Sequence, residues 1–170
     1  MITGDTATRL SPEKEFIRQI QLNQNIIHKI CLAFCRSEAD KEDIYQEIIL
    51  QLWKSYHSFR GESAFSTWMY RVAMNTAVTM TRKQWSVLGT DRLPEIHEGD
   101  VSNPDFSEEI RLLYKAISHL KNVEKALILM WLDEKSYEEI AQTIGISVKN
   151  VSVKLVRVKA KLGEIIRKLQ

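Results

Sequence analysis

Seven cations, Lys149, Lys154, Arg157, Lys159, Lys161, Arg167 and Lys168, crowd into residues 149–168, where the only acid is Glu164. The whole chain carries a net charge of just +2, so this is a local concentration and not a general basicity. At about 100° per residue, Val148, Val151, Leu155, Val158, Leu162, Ile165 and Leu169 fall on one apolar stripe. The opposite face carries Lys149, Val153, Val156, Arg157 and Ala160, with Asn150, Lys154 and Lys161 beside it. A solvated helix can also present a basic face. Two valines out of register on that face favour a different reading, because small apolar groups suit thymine methyls in the major groove. Arg157, Lys149 and Asn150 are the candidates for base edges, and Lys154, Lys159 and Lys161 for phosphates, which position without specifying.

The residues before this helix set it in place. In SYEEIAQTIGISVKNVSVKLVRVKAKL, Ser136 and Glu139 have capping-box spacing. Ile140, Ala141 and Ile144 form a short apolar face, Gly145 suits a left-handed turn, and Ser147 caps the next helix. Two short helices about a glycine turn predict a helix-turn-helix.

A second group of residues lies in the N-terminal half. In DKEDIYQEIILQLWKSYHSF, Ile44, Ile48, Ile49, Leu52 and Tyr56 share a core face. Outward stand Asp43, Gln46, Glu47, Leu50 and Lys54; a leucine among polar residues is a weak sign of a protein-binding patch. In FSTWMYRVAMNTAVTMTRK, Phe65, Trp68, Met69, Val72, Ala73 and Thr76 are expected inside, and Thr67, Tyr70, Arg71, Met74, Val78 and Arg82 outside, with Asn75 at the edge. Rings and cations on one face suit single-stranded nucleic acid. For Trp68 itself, core packing is the better account.

Covalent chemistry finds little support. No phosphate-binding glycine loop, metal-ligand cluster or nucleophile motif occurs, so no enzyme activity and no cofactor are expected. His28, Cys31 and Cys35 share a helix face, but three dispersed ligands without a fourth read as core packing better than as a metal site.

These segments divide the chain. Residues 10–83 and 107–170 show helical periodicity, which sets expected domains at 1–83 and 107–170, with helices near 12–36, 41–56, 64–82, 107–119, 122–133, 136–144 and 147–168. Ser11 and Pro12 open the first and Asp40 the second. Residues 84–106 hold Gly89, Gly99, Pro94 and Pro104, with five acids against Arg92. That composition predicts a flexible acidic linker, able to span about 25 Å as a coil and about 75 Å fully stretched. The fold class expected is all-α, two small helical domains, the second a helix-turn-helix. No N-terminal apolar stretch and no run long enough to cross a bilayer occurs, which predicts a cytoplasmic protein without membrane insertion.

Three motifs, DKEDIYQEIILQLWKSYHSF, FSTWMYRVAMNTA and SYEEIAQTIGISVKNVSVKLVRVKAKL, stand in an order that resembles the extracytoplasmic-function group of bacterial sigma factors. Each motif is moderately specific and the three together strongly so, and the resemblance covers nearly the whole chain from about residue 12. It implies an alternative sigma factor that binds core RNA polymerase and directs promoter-specific initiation. Asp43, Gln46, Glu47 and Leu50 would meet the clamp helices of the largest subunit. Tyr70, Arg71, Asn75 and Arg82 would serve −10 recognition and melting, Tyr70, Arg71 and Asn75 by capturing an extruded base. Lys149, Asn150, Ser152, Val153, Lys154, Val156, Arg157 and Lys161 would contact the −35 element. The resemblance also implies an anti-sigma factor, commonly a membrane protein. The recognition helix departs from the family's usual Thr-Val-Lys/Arg-Ser-Arg, having Asn150, Val151, Ser152, Val153 and Lys154, so its base preference is not that of the group at large. The alternative is a helix-turn-helix regulator that acts without polymerase, binding duplex DNA by itself, usually as a dimer.

Overall fold

The computed structural model describes residues 11–87 and 106–170, without the side chains of 83–87. Seven helices occur among the described residues: α1 (Pro12–Phe34), α2 (Glu38–Ser55), α3 (Phe65–Val87), α4 (Glu108–Ser118), α5 (Asn122–Leu132), α6 (Tyr137–Ile144) and α7 (Val148–Leu169). A short 3-10 turn, Tyr56–Ser58, follows α2. No strand occurs among the described residues, and the all-α class holds.

Local chemistry sets the ends of the helices. Ser11 Oγ accepts from the Lys14 amide at 3.4 Å, Pro12 occupies the first turn, and Glu13 and Glu15 lie at the positive end of the dipole. The opener of α2 is Ser37, not Asp40: its hydroxyl accepts from the Asp40 amide at 3.1 Å, and Asp40 sits inside the first turn. A serine free to take the extended cap conformation wins the position, and the aspartate still favours the dipole from within. α3 runs to Val87, so residues 84–87, assigned to the linker by composition, are helical; no Gly or Pro precedes Gly89 to stop them. The rest of the expected linker, 88–105, lies outside the described residues.

α1, α2 and α3 pack against one another. Ile27, Ile30, Ile44, Ile48, Leu52, Met69 and Ala73 are fully buried between them, each large one contributing about 1.5–3 kcal/mol through burial. Cys31 belongs to this core and is a free thiol. Burial pushes it up to about 12 and Cys35 up to about 11, which leaves both inert as nucleophiles. α4 to α7 form the second unit around Ile117, Leu127, Leu129, Met130, Ile140, Val151 and Leu155.

The two units are not apart. α4 and α5 touch α1, and α5 and α6 touch α3. Polar bonds between the units gather on the turn after α5. Asp133 there accepts from both Lys29 Nζ and the Tyr70 hydroxyl. Lys135 Nζ donates to Ser66 Oγ at 2.5 Å, and Thr67 Oγ1 donates to Glu139 Oε1 at 2.9 Å. Lys125 Nζ lies 4.5 Å from the centroid of the Phe34 ring.

Candidate nucleic-acid and polymerase interfaces

The helix-turn-helix is built as its sequence dictates. Ser136 Oγ accepts from the Glu139 amide at 3.1 Å, and Glu139 Oε2 accepts from the Ser136 amide at 2.9 Å. That backbone bond is the main reason the Glu139 carboxyl is held below the usual range. Gly145 ends α6 at φ 80°, and Ser147 Oγ accepts from the Asn150 amide at 3.2 Å to start α7. Val151, Leu155, Val158 and Leu162 are buried as the stripe predicts. Val148, placed on the same stripe, is 41% exposed: it lies in the first turn of α7, beyond the reach of the packing partners that cover Val151.

The outward face of α7 stands open. Lys149, Asn150, Ser152, Val153, Lys154, Val156 and Arg157 are all exposed, Val156 at 65%. Lys161 differs. It donates to Glu124 Oε2 at 2.8 Å, tying α7 to α5. Burial would raise the Glu124 carboxyl, but the bonds from Lys161 and the Lys121 amide outweigh it and hold it down. Lys159 lies over Trp131, 4.7 Å from the ring centroid. Two of the three cations expected on phosphates are therefore engaged within the protein, and Lys149, Lys154 and Arg157 carry the exposed charge of the outward face.

On α2, Asp43, Gln46 and Leu50 are exposed. Glu47 is half-buried and accepts from Gln51 Nε2 at 2.7 Å. Trp53, not singled out from the sequence, is as exposed as Leu50 at 43%; its offset of three residues from Leu50 was the available signal. One side of its ring leans on Phe16, 5.0 Å between centroids. Leu50 and Trp53 thus give this face an apolar centre between polar neighbours.

α3 divides the residues expected to face outward. Arg71, Asn75 and Arg82 are exposed, but Thr67, Tyr70 and Met74 are buried, Tyr70 completely. Residues 67, 70 and 74 form a second stripe at helical spacing. A rule that assigns one buried face per helix missed it because α3 is covered from two sides, by α1 and α2 and by the C-terminal unit. The Tyr70 hydroxyl donates to Asp133, with Leu129 O at 3.5 Å, and burial pushes its pKa upward. Trp68 packs with Phe65 and Phe59 at centroid distances of 5.3 and 5.2 Å, which supports the core reading. Asn75 opens onto a groove of about 580 Å³ between α2 and α3, shared with Glu47, Gln51, Ser55 and Thr79.

Among the described residues no group of His, Cys, Asp and Glu is arranged to hold a metal ion, and no helix is long and apolar enough to cross a membrane.

An open cationic helix in a helix-turn-helix, joined to a helical unit with a mixed polar and apolar face, is the architecture expected of a DNA-directed protein. Sequence comparison makes this specific. Sigma-70 region 2 matches residues 19–87, and Sigma-70, region 4 matches residues 110–162. The ECF RNA polymerase sigma-E factor of Escherichia coli is 30% identical over 158 residues, covering 84% of this chain and 83% of that protein. The sigma-E factor of Haemophilus influenzae is 33% identical over 147 residues, 78% of each. Among solved structures, the sigma factor RpoE of Bartonella quintana, in complex with the anti-sigma factor NepR, has TM-score 0.70 at 21% identity over 91% of this chain and 98% of that one. CnrH, in complex with the cytosolic domain of CnrY, has TM-score 0.65 at 19% identity over 92% and 90%. The chain belongs to the extracytoplasmic-function group of RNA polymerase sigma factors. It is an alternative sigma factor and directs transcription initiation.

Proposed function

We propose that the two units divide promoter recognition as follows. α2 docks on the clamp helices of the polymerase's largest subunit through Asp43, Gln46, Glu47 and Leu50, with Trp53 adding apolar area at the edge. Arg71, Asn75 and Arg82 serve the −10 element, Asn75 holding an extruded base at the mouth of the α2–α3 groove, with Tyr70 joining them when α3 is uncovered. α7 reads the −35 element through Lys149, Asn150, Ser152, Val153, Lys154, Val156 and Arg157, and Lys161 can turn to a phosphate only by leaving Glu124. The protein supplies no covalent chemistry: base capture stabilises the separated strands and polymerase makes the bonds. Its work on core polymerase puts it in the cytoplasm.

The observation that carries this reading is the outward face of α7, which exposes three cations and two valines while Val151, Leu155, Val158 and Leu162 opposite are buried. The sigma factor RpoE of Bartonella quintana is in complex with the anti-sigma factor NepR, and we assign this chain a regulator of the same kind. Run-off transcription with purified core polymerase on fragmented host DNA tests the whole scheme. Discrete new start sites that require the protein are expected; none, with active core, would overturn it.

A further inference from the structure

Two residues on the outward face of α7 have no account in the fold. Val153 and Val156 are 44% and 65% exposed. A β-branched residue is a poor helix former, and an exposed one gains no packing in return. The four residues that hold α7 in place, Val151, Leu155, Val158 and Leu162, lie on the other side. At about 100° and 1.5 Å per residue, Val153 projects almost directly away from them. Val156 stands about 60° round from it and about 4.5 Å further along, a little more than one base-pair step of about 3.4 Å. Lys149 precedes the two and Arg157 follows, both exposed. No acid occurs between Val148 and Gly163. This charge fits a polyanion, and the major groove is a polyanionic surface that also offers apolar groups.

We infer that α7 reads C5-methyl groups: Val153 and Val156 seat on the methyls of thymines in two neighbouring base pairs of the −35 element, and promoter choice depends on those two carbons. The inference rests on the assignment of α7 to that element and adds what is read there. Valine has no donor or acceptor, so it cannot pair with the amino groups, ring nitrogens and carbonyls that bases turn into the groove. Opposite one of those it would strip away water and leave the polar group unmatched, a penalty that a methyl does not incur. The χ1 angle of valine in a helix is held almost entirely in one well, so both side chains meet the groove already set, with little freedom to lose. Lys149 and Arg157 bond to base edges or phosphates on either side. Thymine carries the C5 methyl in ordinary DNA, and 5-methylcytosine carries it at the same place on a G·C pair. Initiation by this factor is therefore sensitive to cytosine C5 methylation wherever a cytosine replaces either thymine.

The test uses holoenzyme assembled from purified core and the full chain, on a promoter located by the run-off experiment above. Each thymine of the −35 element, on either strand, is replaced in turn by deoxyuridine, which keeps every hydrogen-bonding atom and removes only the methyl. Two neighbouring positions should each lose about fourfold in competitive promoter binding, and the double replacement about fifteenfold, the value of burying one carbon apiece. Val153→Ala should abolish the response at one position and Val156→Ala at the other; both residues are exposed, so the fold should be kept, which circular dichroism checks. The deoxyuridine series itself needs no variant. Replacing the same thymines by cytosine should weaken binding, and 5-methylcytosine should recover about fourfold per site over cytosine. An element without thymine in neighbouring pairs, deoxyuridine without effect at every position, or an equal response in the valine variants overturns the methyl reading while leaving α7 on the −35 element. A factor with no promoter, or one indifferent to exchange of the whole −35 element, overturns that assignment as well and frees the valines for a protein partner.

Discussion

Lys125 offers a quantitative test of how tightly the two units are fitted. The residue is 8% exposed and its ammonium lies over Phe34 of the other unit. Burial pushes its pKa down from 10.5 to about 8; the Cys35 thiol opposes that and the Arg36 guanidinium adds to it. His119, at the end of α4, is held below its ordinary value first by burial and then by the charges of Lys115 and Lys125. The folded chain therefore binds the Lys125 proton less tightly than the unfolded chain does. The burden on stability is complete below pH 8 and disappears as pH rises from about 8 toward 10.5. At about 1.4 kcal/mol for each tenfold change in proton affinity, it comes to about 3 kcal/mol. Lys125→Met keeps similar length without the charge and should stabilise the protein by up to about 3 kcal/mol at pH 7. It should also flatten the rise in stability between pH 8 and 10. Above pH 10 the buried phenols of Tyr70 and Tyr114, both pushed upward, reverse the trend. Urea unfolding of both proteins at unit steps of pH from 7 to 10 makes the comparison. A variant no more stable at pH 7, with an unchanged slope above pH 8, would refute the burial argument.

Other perturbations address the interfaces. Arg157→Glu should cut promoter-specific run-off transcription by about 10- to 100-fold, the discrimination of one good base contact, and leave core binding intact; lost core binding would mean that α7 docks polymerase. Glu47→Lys should weaken assembly with core in an equilibrium titration, and an unchanged titration would remove the outward face of α2 from the docking surface. Gly145→Ala meets no atom within 4 Å, so its cost should come from φ 80° alone, about 1–2 kcal/mol in thermal unfolding; a larger loss would point to a clash the turn does not contain.

Much of this protein could be read from the order of its residues. The α7 stripe and its cationic opposite face, the Ser136–Glu139 box, Gly145 and the Ser11–Pro12 start are local patterns, and local patterns survive folding because each is satisfied within a turn or two of chain. The outward set on α2 was legible for the same reason, since among the described residues nothing later in the chain covers Asp43, Gln46 or Leu50. Family membership followed from three such motifs in order.

What the sequence could not decide were the contacts made between distant segments. Tyr70 had the spacing of a solvent-facing residue, and only the approach of α5, some sixty residues on, buries it against Asp133. Lys161 had the spacing of a phosphate ligand, and only the packing of α7 on α5 gives it Glu124. Asp133 carried no pattern at all. Periodicity reports which side of a helix turns from its nearest neighbours; it holds no record of a second neighbour arriving from elsewhere. The parts of the protein thus lie in its sequence, and which of their side chains stand free, as Tyr70 and Lys161 do not, is decided by how distant helices pack.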